Sequence, residues 1–444
     1  MIKYNNIFDS AILSLHKVLI DFNYDLLVHE LKLPIWYFRD PGFIHYGHSI
    51  DNRLSKLPKS YQLLIRLFSL TQPVSRKEVE KFLFSKDLID ELIALGLFIS
   101  EEDTLQTDWY TIIPLLGVYA IATIGTARSM GAFVGRQSYF VATKMLEHSF
   151  DSALDIGSGC GILAILAAQR AKEVVGIDIL PEAVEVGKAN AVLNKVDKRV
   201  EFFCGDMYQP VKGLSFDAVF SNVPFLALPE KYQLVAVSSG EDGLRFIEPL
   251  IDGMFRHKIK TSAIVANGLG DETQPLLVSL LKNKLLARRG YQAKLLVYAK
   301  GLIDDNFIGG AVKMVASAFQ DRGENITKEE IYQDLKEIYQ KLRVDYYYGI
   351  ILEIETKTSG PEIEIIDISN KYNLNMSPSL RQKAVITNEK ASLLKRGETV
   401  LSLGEVEKNI FMSMVDKKLP TIDQTPNWMG FASQIELMLG VKKQ

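Results

Sequence analysis

The chain has 444 residues, too many for one ordinary domain, and 47% of them are apolar, enough to build cores in two or three. A net charge of −3 and a pI of about 6.2 provide no basic stripe for phosphate contacts, which weakens a large RNA partner without excluding one. Two cysteines, Cys160 and Cys204, make neither a disulfide framework nor a zinc set, so a reducing, cytoplasmic setting is expected.

The N-terminus, MIKYNNIFDS, lacks the basic-then-apolar order of a signal peptide. Residues 6–32 repeat apolar positions at three- and four-residue spacing, which predicts a helix. Residues 33–52 are aromatic and rich in turn formers. Between Tyr61 and Asp108 the pattern gives YQLLIRLFSL as a helix, a break at Thr71-Gln72-Pro73, and SRKEVEKFLF as a second helix with a Ser75–Glu78 capping box. A third helix, SKDLIDELIALGLF, ends near Gly96, and LFISEEDTLQTD follows as a hairpin. Three short helices and a hairpin form a winged-helix pattern. The third helix carries Asp87, Asp90 and Glu91 where a DNA reader needs cations, so an interaction or structural role is expected. The most apolar run, Ile112 to Ile124, is too short to span a membrane and is expected as a buried helix or strand pair.

From 135 to 300, short apolar runs alternate with helical stretches. The runs are SALDIG, EVVGID, VEFFCGD, FDAVFSN, SAIVAN and AKLLVYA. Such alternation predicts a doubly wound, Rossmann-like α/β domain: a parallel sheet with helices on both faces. Residues 305–326 read as loop. Thr327 starts a helix with a Thr327–Glu330 capping box, and residues 345–356 read as the last strand of the same sheet. The final ninety residues hold a strand, EIEIIDIS, and helices at VEKNIFMSMVD and FASQIELMLG. The expected division is an N-terminal helical and winged-helix-like domain at 1–125, a central domain at 126–357 with an insertion at about 305–345, and a C-terminal α+β extension at 358–444.

The most informative stretch is Asp155-Ile156-Gly157-Ser158-Gly159-Cys160-Gly161, where a strand ends and a helix begins. Its glycines let backbone approach a ligand that a Cβ would push away. The spacing is acid-x-G-x-G-x-G, not the G-x-G-x-x-G of dinucleotide sites. An acid two places before the first glycine suits a cationic ligand, such as one with an α-amino group and a sulfonium, and is out of place beside a pyrophosphate. Asp178 ends the next strand, where a carboxylate can accept two ribose hydroxyls. Asp206 follows the third strand, within reach of an adenine amino group, and Asn222-Val223-Pro224-Phe225 closes the fourth. In an open α/β sheet, ligands bind at that edge.

These four ordered elements resemble the class I S-adenosylmethionine (SAM)-dependent methyltransferases over roughly residues 130–300. The resemblance implies SAM as cofactor. It puts Gly157 and Gly159 under the methionyl part, Asp178 at the ribose hydroxyls and Asp206 with Met207 beside adenine, and implies Asp155, Gly161, Ile179 and Asn222 as further cofactor-binding residues. Gly135 would start the segment that covers the cofactor.

Asn222-Val223-Pro224-Phe225 further resembles the N-P-P-[YF] motif of the small-domain methyltransferases, the release-factor glutamine and rRNA guanine-N2 type, which act on planar nitrogens. An exocyclic amine or amide nitrogen is a poor nucleophile because its lone pair is delocalised. The Asn oxygen and the next backbone carbonyl accept its N–H bonds and aim the lone pair at the methyl group, while the aromatic residue stacks on the planar group. The resemblance therefore implies Asn222, Pro224 and Phe225 as catalytic residues. Ser239-Gly240-Glu241-Asp242-Gly243-Leu244 resembles the G-G-E-D-G-L-type segment that follows. Val223 departs from the first proline and loosens the expected geometry.

N-methylation ranks ahead of O- or C-methylation. The alternative for the motif is that Asn222 only borders SAM while Phe225 packs in the core. A small molecule and a peptide or protein are the leading acceptors; an rRNA or tRNA base is the alternative, and a non-catalytic SAM-binding scaffold is the rival of another class. His45 and His48 are expected to be structural, with no metal site, no membrane partner, and Tyr346-Tyr347-Tyr348 in core packing.

Overall fold

The computed structural model describes residues 1–31, 51, 54–124, 131–132, 134–145, 147–232, 234–288, 290–321, 323–356, 362–367 and 369. His45, His48 and both helices expected after residue 400 lie outside these.

The long N-terminal helix divides in two. Helix α1 (Asp9–Asp21) and α2 (Tyr24–Glu30) are separated at Asn23, whose φ of 46° is left-handed and ends the first helix. Then come α3 (Lys59–Phe68), β1 (Val74–Ser75), α4 (Arg76–Phe82), α5 (Lys86–Leu95), β2 (Phe98–Glu101) and β3 (Thr104–Thr107). The three strands form an antiparallel sheet in the order β1-β3-β2. Ser75 and Ser85 cap α4 and α5, accepting from the N–H groups of Glu78 and Leu88, and Gly96 ends α5 at φ 89°. On α5, Asp90 pairs with Arg76 and Lys86. The apolar run is a strand pair, β4 (Tyr110–Leu115) and β5 (Val118–Thr123), buried along its whole length.

The central sheet is built from β6 (Ser152–Ile156), β7 (Glu173–Asp178), β8 (Val200–Cys204), β9 (Ala218–Ser221), β10 (Thr261–Val265), β12 (Tyr291–Leu302), β13 (Tyr346–Thr356) and β14 (Ile363–Asp367). Its order is β14-β12-β13-β10-β9-β6-β7-β8, with the short β11 (Gly268–Gly270) paired to β13. Strands β8, β7, β6, β9 and β10 are mutually parallel, whereas β13 is antiparallel to β10 and β12. Successive residues of β6 point to opposite cores: Ala153 lies under α6 (Arg136–Met145), α7 (Ile162–Ala168) and α8 (Pro181–Leu193), and Leu154 and Ile156 lie under α9 (Ile247–Arg256) and α10 (Leu277–Leu286).

Two expectations change. Strand 345–356 is not the last of the sheet: β14, expected in the C-terminal extension, pairs in parallel with β12 beyond it. Residues 305–326 are not loop: α11 (Asp305–Asp321) runs through most of them and pairs with α12 (Lys328–Leu342). Gly309 and Gly310 lower its intrinsic propensity. Ile308, Val312, Val315 and Phe319 recur on one face and enter a third core with Ile331, Leu335, Ile338 and Tyr339 of α12, and this burial outweighs the glycines. The α11–α12 hairpin is inserted between β12 and β13, and its core includes Ala227, Leu228, Tyr232 and Leu234 from the loop after β9.

The N-terminal elements are hydrogen-bonded to the central domain. Asn190 of α8 accepts from the Ile121 N–H and donates to the Ile121 carbonyl, each at 2.8 Å, and Asn194 does the same with Tyr119 at 2.8 and 2.7 Å. The two asparagines stand in for a neighbouring strand along β5. Among the described residues no helix is long and apolar enough to cross a membrane.

Candidate active site

Strand β6 has β7 on one side and β9 on the other, so the chain direction of the winding reverses there and a crevice opens beyond its carboxyl end. A cavity of about 270 Å³ occupies it. Asp155, Gly157, Gly159, Asp178, Ile179, Asp206, Met207, Asn222 and Pro224, all expected from the sequence, line this cavity. Gly161 stands back from it: it starts α7 at φ 78°, and a Cβ there would lie 2.5 Å from the Phe202 ring, so its smallness lets helix and sheet close up. Gly135 does not line the cavity either, but its carbonyl accepts from the N–H of Ser138, which does.

The turn after β6 is held from below. Asp155 is 1% exposed, and its Oδ2 accepts from the Ala164 N–H at 2.9 Å. Burial pushes its carboxyl up to about 7, the nearby Asp178 adds to this, and the Ala164 N–H opposes it. Asp178 accepts from Gly159 N–H through Oδ2 at 2.8 Å and from Leu180 N–H through Oδ1 at 3.0 Å. Burial raises this carboxyl too, against the pull of those N–H groups. Gly159 has φ 54°, and a Cβ there would lie 2.9 Å from the Gly131 carbonyl oxygen, so only glycine fits without displacement.

Three buried polar atoms on the cavity wall have no hydrogen-bond partner in the protein: Asp155 Oδ1, Ser158 Oγ and Asn222 Oδ1. Buried polar groups are ordinarily satisfied, so three orphans on residues that line one cavity fit a polar ligand there. Two carboxylates at that place, one with a free oxygen and one with spare lone pairs, suit ammonium and hydroxyl donors. The donor set therefore fits SAM, which brings an ammonium group and ribose hydroxyls.

At the end of β9, Asn222 donates through Nδ2 to Ser138 Oγ at 3.0 Å, which fixes the amide plane and leaves Oδ1 as the unengaged acceptor. Val223 is buried at 3% exposure, and its Cγ1 stands 3.1 Å from where a Gly157 Cβ would be. The valine thus wedges against the glycine turn in place of a proline. Pro224 faces the cofactor cavity, whereas Phe225 lines a second cavity of about 190 Å³. The Ser239–Leu244 segment closes on the motif: Ser239 N–H donates to the Leu226 carbonyl at 2.8 Å, and a Cβ on Gly243 would meet the Phe225 carbonyl at 3.2 Å.

Sequence reasoning missed Ser138 as the partner of Asn222; it lies in the segment singled out for Gly135, three residues on. Of the three tyrosines set in core packing, Tyr348 is buried in a core and Tyr346 packs against it, whereas Tyr347 stands outside that core; Tyr347 and Tyr348 also line the second cavity. Among the described residues no group of histidine, cysteine and acidic side chains is placed to hold a metal.

The model of the "Methyltransferase small domain" family matches residues 133–238. The release factor glutamine methyltransferase of Aquifex aeolicus is 34% identical over 141 residues, 29% of this chain and 50% of that protein. A putative protein N5-glutamine methyltransferase of Methanocaldococcus jannaschii is 38% identical over 120 residues, 26% of this chain and 59% of that protein. The ribosomal protein L11 methyltransferase of Thermotoga maritima is 32% identical over 194 residues, 42% of this chain and 69% of that protein. The chain thus spans little more than half the length of the two glutamine methyltransferase relatives.

Proposed function

Since the chain belongs to the class I SAM-dependent methyltransferases of the small-domain kind, we propose that it transfers a methyl group from SAM to a planar nitrogen, with Asn222 receiving the N–H of the acceptor. The observation that carries this is the orphan Oδ1 of Asn222, a residue that lines the cofactor cavity and whose Nδ2 is held by Ser138. An acceptor oxygen fixed in that way suits a substrate that brings a donor hydrogen. It draws the N–H toward itself, localises the nitrogen lone pair, and aligns it for in-line attack. SAM supplies the electrophilic methyl group. No strong base is required, because the proton leaves after the nitrogen has become acidic.

In this proposal Asp155, Gly157, Gly159 and Gly161 shape and hold the amino-acid end of SAM, Asp178 and Ile179 the ribose, and Asp206 and Met207 the adenine. Pro224 separates cofactor from acceptor, and Phe225 presents its ring to the acceptor. The acceptor is a small molecule or a peptide or protein side chain, recognised by the flanking regions at 1–125 and 305–345. The named relatives that act on proteins keep a peptide amide beside a small molecule as acceptor, and the acidic net charge suits either.

The test is methyl transfer from labelled SAM to a panel of amide peptides and heteroaromatic amines, with the modified atom located by mass spectrometry. N-methylated product from the native protein, lost in Asn222→Ala with SAM binding intact, is the expected result. An O- or C-methylated product, or full turnover by Asn222→Ala, would overturn the assignment.

A further inference from the structure

The second cavity carries more than Phe225. Among the described residues, its wall includes Tyr298, Phe307, Tyr339, Tyr347 and Tyr348, and no ionised side chain. Phe307 and Tyr347 stack with ring centroids 4.6 Å apart, so two of the rings form a rigid platform. Tyr298 is fixed by its hydroxyl on Asn267 Oδ1 at 2.8 Å, and Tyr348 by its hydroxyl on the Asp271 carbonyl. Tyr339 differs. It is 4% exposed, and its hydroxyl is buried with no hydrogen-bond partner in the protein. Burial raises that hydroxyl to about 12, so it stays protonated and neutral.

Phe307 and Tyr339 come from the α11–α12 hairpin, Tyr347 and Tyr348 from the strand that follows it, and Phe225 from the motif beside the cofactor. The hairpin is tied to the loop after that motif: Lys231 pairs with Glu330 and Asp334, Tyr232 donates to Asp334, and Lys341 pairs with Glu241. Consecutive residues, Pro224 and Phe225, therefore line the cofactor cavity and the ring-lined cavity respectively.

We propose that the cavity between Phe225, Phe307, Tyr339 and Tyr347 is the acceptor pocket, and that it takes the neutral heteroaromatic ring of a small molecule, with Tyr339 hydrogen-bonding to a ring heteroatom. This deepens the methyl-transfer proposal and rests on it. A wall of aromatic faces with the amides of Gln137 and Asn267, and no ionised side chain among the described residues, disfavours an ionised group and favours a flat, largely apolar one. A volume of about 190 Å³ exceeds the roughly 150 Å³ apolar cavity that accommodates benzene, so a one- or two-ring group fits. The unsatisfied Tyr339 hydroxyl gives the pocket a polar requirement, and a heteroatom would satisfy it.

The test is calorimetric titration of the full chain, in the presence of S-adenosylhomocysteine, with quinoline, indole and naphthalene. The native protein should bind quinoline and indole more tightly than naphthalene. Tyr339→Phe should weaken quinoline and indole roughly five- to tenfold and leave naphthalene unchanged, as expected for loss of one hydrogen bond. Ala299→Phe, which fills the cavity, should abolish all three. The variants should bind S-adenosylhomocysteine like the native protein. Cofactor binding without any ring binding, or ring binding indifferent to both substitutions, would overturn the pocket and leave the methyltransferase proposal standing. Failure to bind S-adenosylhomocysteine would count against the latter, and the ring titrations would still judge the pocket. A labelled methyl group found on a peptide lacking any aromatic ring, with the ring compounds untouched, would also overturn the pocket.

Discussion

Asn222 donates to Ser138 across 84 residues of sequence, joining the loop after β9 to α6 at 3.0 Å. That bond converts a freely turning amide into a fixed acceptor. Asn222→Ala should retain SAM affinity and lose roughly 10²-fold or more in kcat, because the acceptor nitrogen is no longer aligned. Ser138→Ala should lower kcat by less, roughly tenfold, because Asn222 remains but its plane is free. Steady-state kinetics on both variants check this, and equal kcat for native and Ser138→Ala would remove the serine from the mechanism.

Asp178 accepts one backbone hydrogen bond on each oxygen and keeps lone pairs for a further donor, the ribose hydroxyls in the proposed function. Asp178→Ala should weaken SAM by about 10²–10⁴-fold, the combined loss of two charge-assisted hydrogen bonds. Calorimetric titration measures it. Unchanged affinity would show that this cavity holds a different ligand.

Asp155 gives the pH dependence. Its folded carboxyl is pushed up to about 7 by burial, against an unfolded value near 3.9. A raised carboxyl stabilises the fold fully below the unfolded value, and that contribution disappears as pH rises through the folded one. The cofactor-free protein should therefore lose stability between about pH 4 and about pH 7 from this group. Asp155→Asn should raise Tm at pH 8 by a few degrees and change it little near pH 4. SAM carries positive charge and selects the ionised form, so its affinity should rise as pH passes through about 7, and Asp155→Asn should flatten that rise. Thermal scans and titrations at several pH values check both signs; a native affinity that falls with pH would refute the assignment.

Asn190 bonds both polar groups of Ile121 and the Cys160 carbonyl, all buried. Asn190→Ala leaves three groups without partners, each costing about 1–3 kcal/mol, so a loss of about 3 kcal/mol or more in unfolding free energy is expected. Chemical denaturation followed by tryptophan fluorescence should show it. A midpoint within error of the native one would mean that apolar packing alone holds the N-terminal elements in place.

The cofactor side was legible in the chain because it depends on local rules. A glycine turn after Asp155, and carboxylates at the ends of successive strands, keep fixed distances along the sequence, and a parallel sheet brings all strand ends to one edge by itself. Beyond the Asn222–Phe225 motif, the surroundings of that strand end were not legible. Ser138 and Asn222 meet only because α6 crosses the end of β9, and no spacing rule links them. The helix at Asp305–Asp321 carries two adjacent glycines that argue against it locally; it forms because its apolar face has α12 and the loop after β9 to cover it. Tyr347 reads as a core residue in sequence, since a buried ring and a ring lining a cavity share the same periodicity. The sequence by itself determined the cleft at the strand ends, because a parallel sheet gathers those ends at one edge; only the tertiary structure decided the ring-lined second cavity, because its walls come from elements far apart in the chain and brought together by side-chain burial.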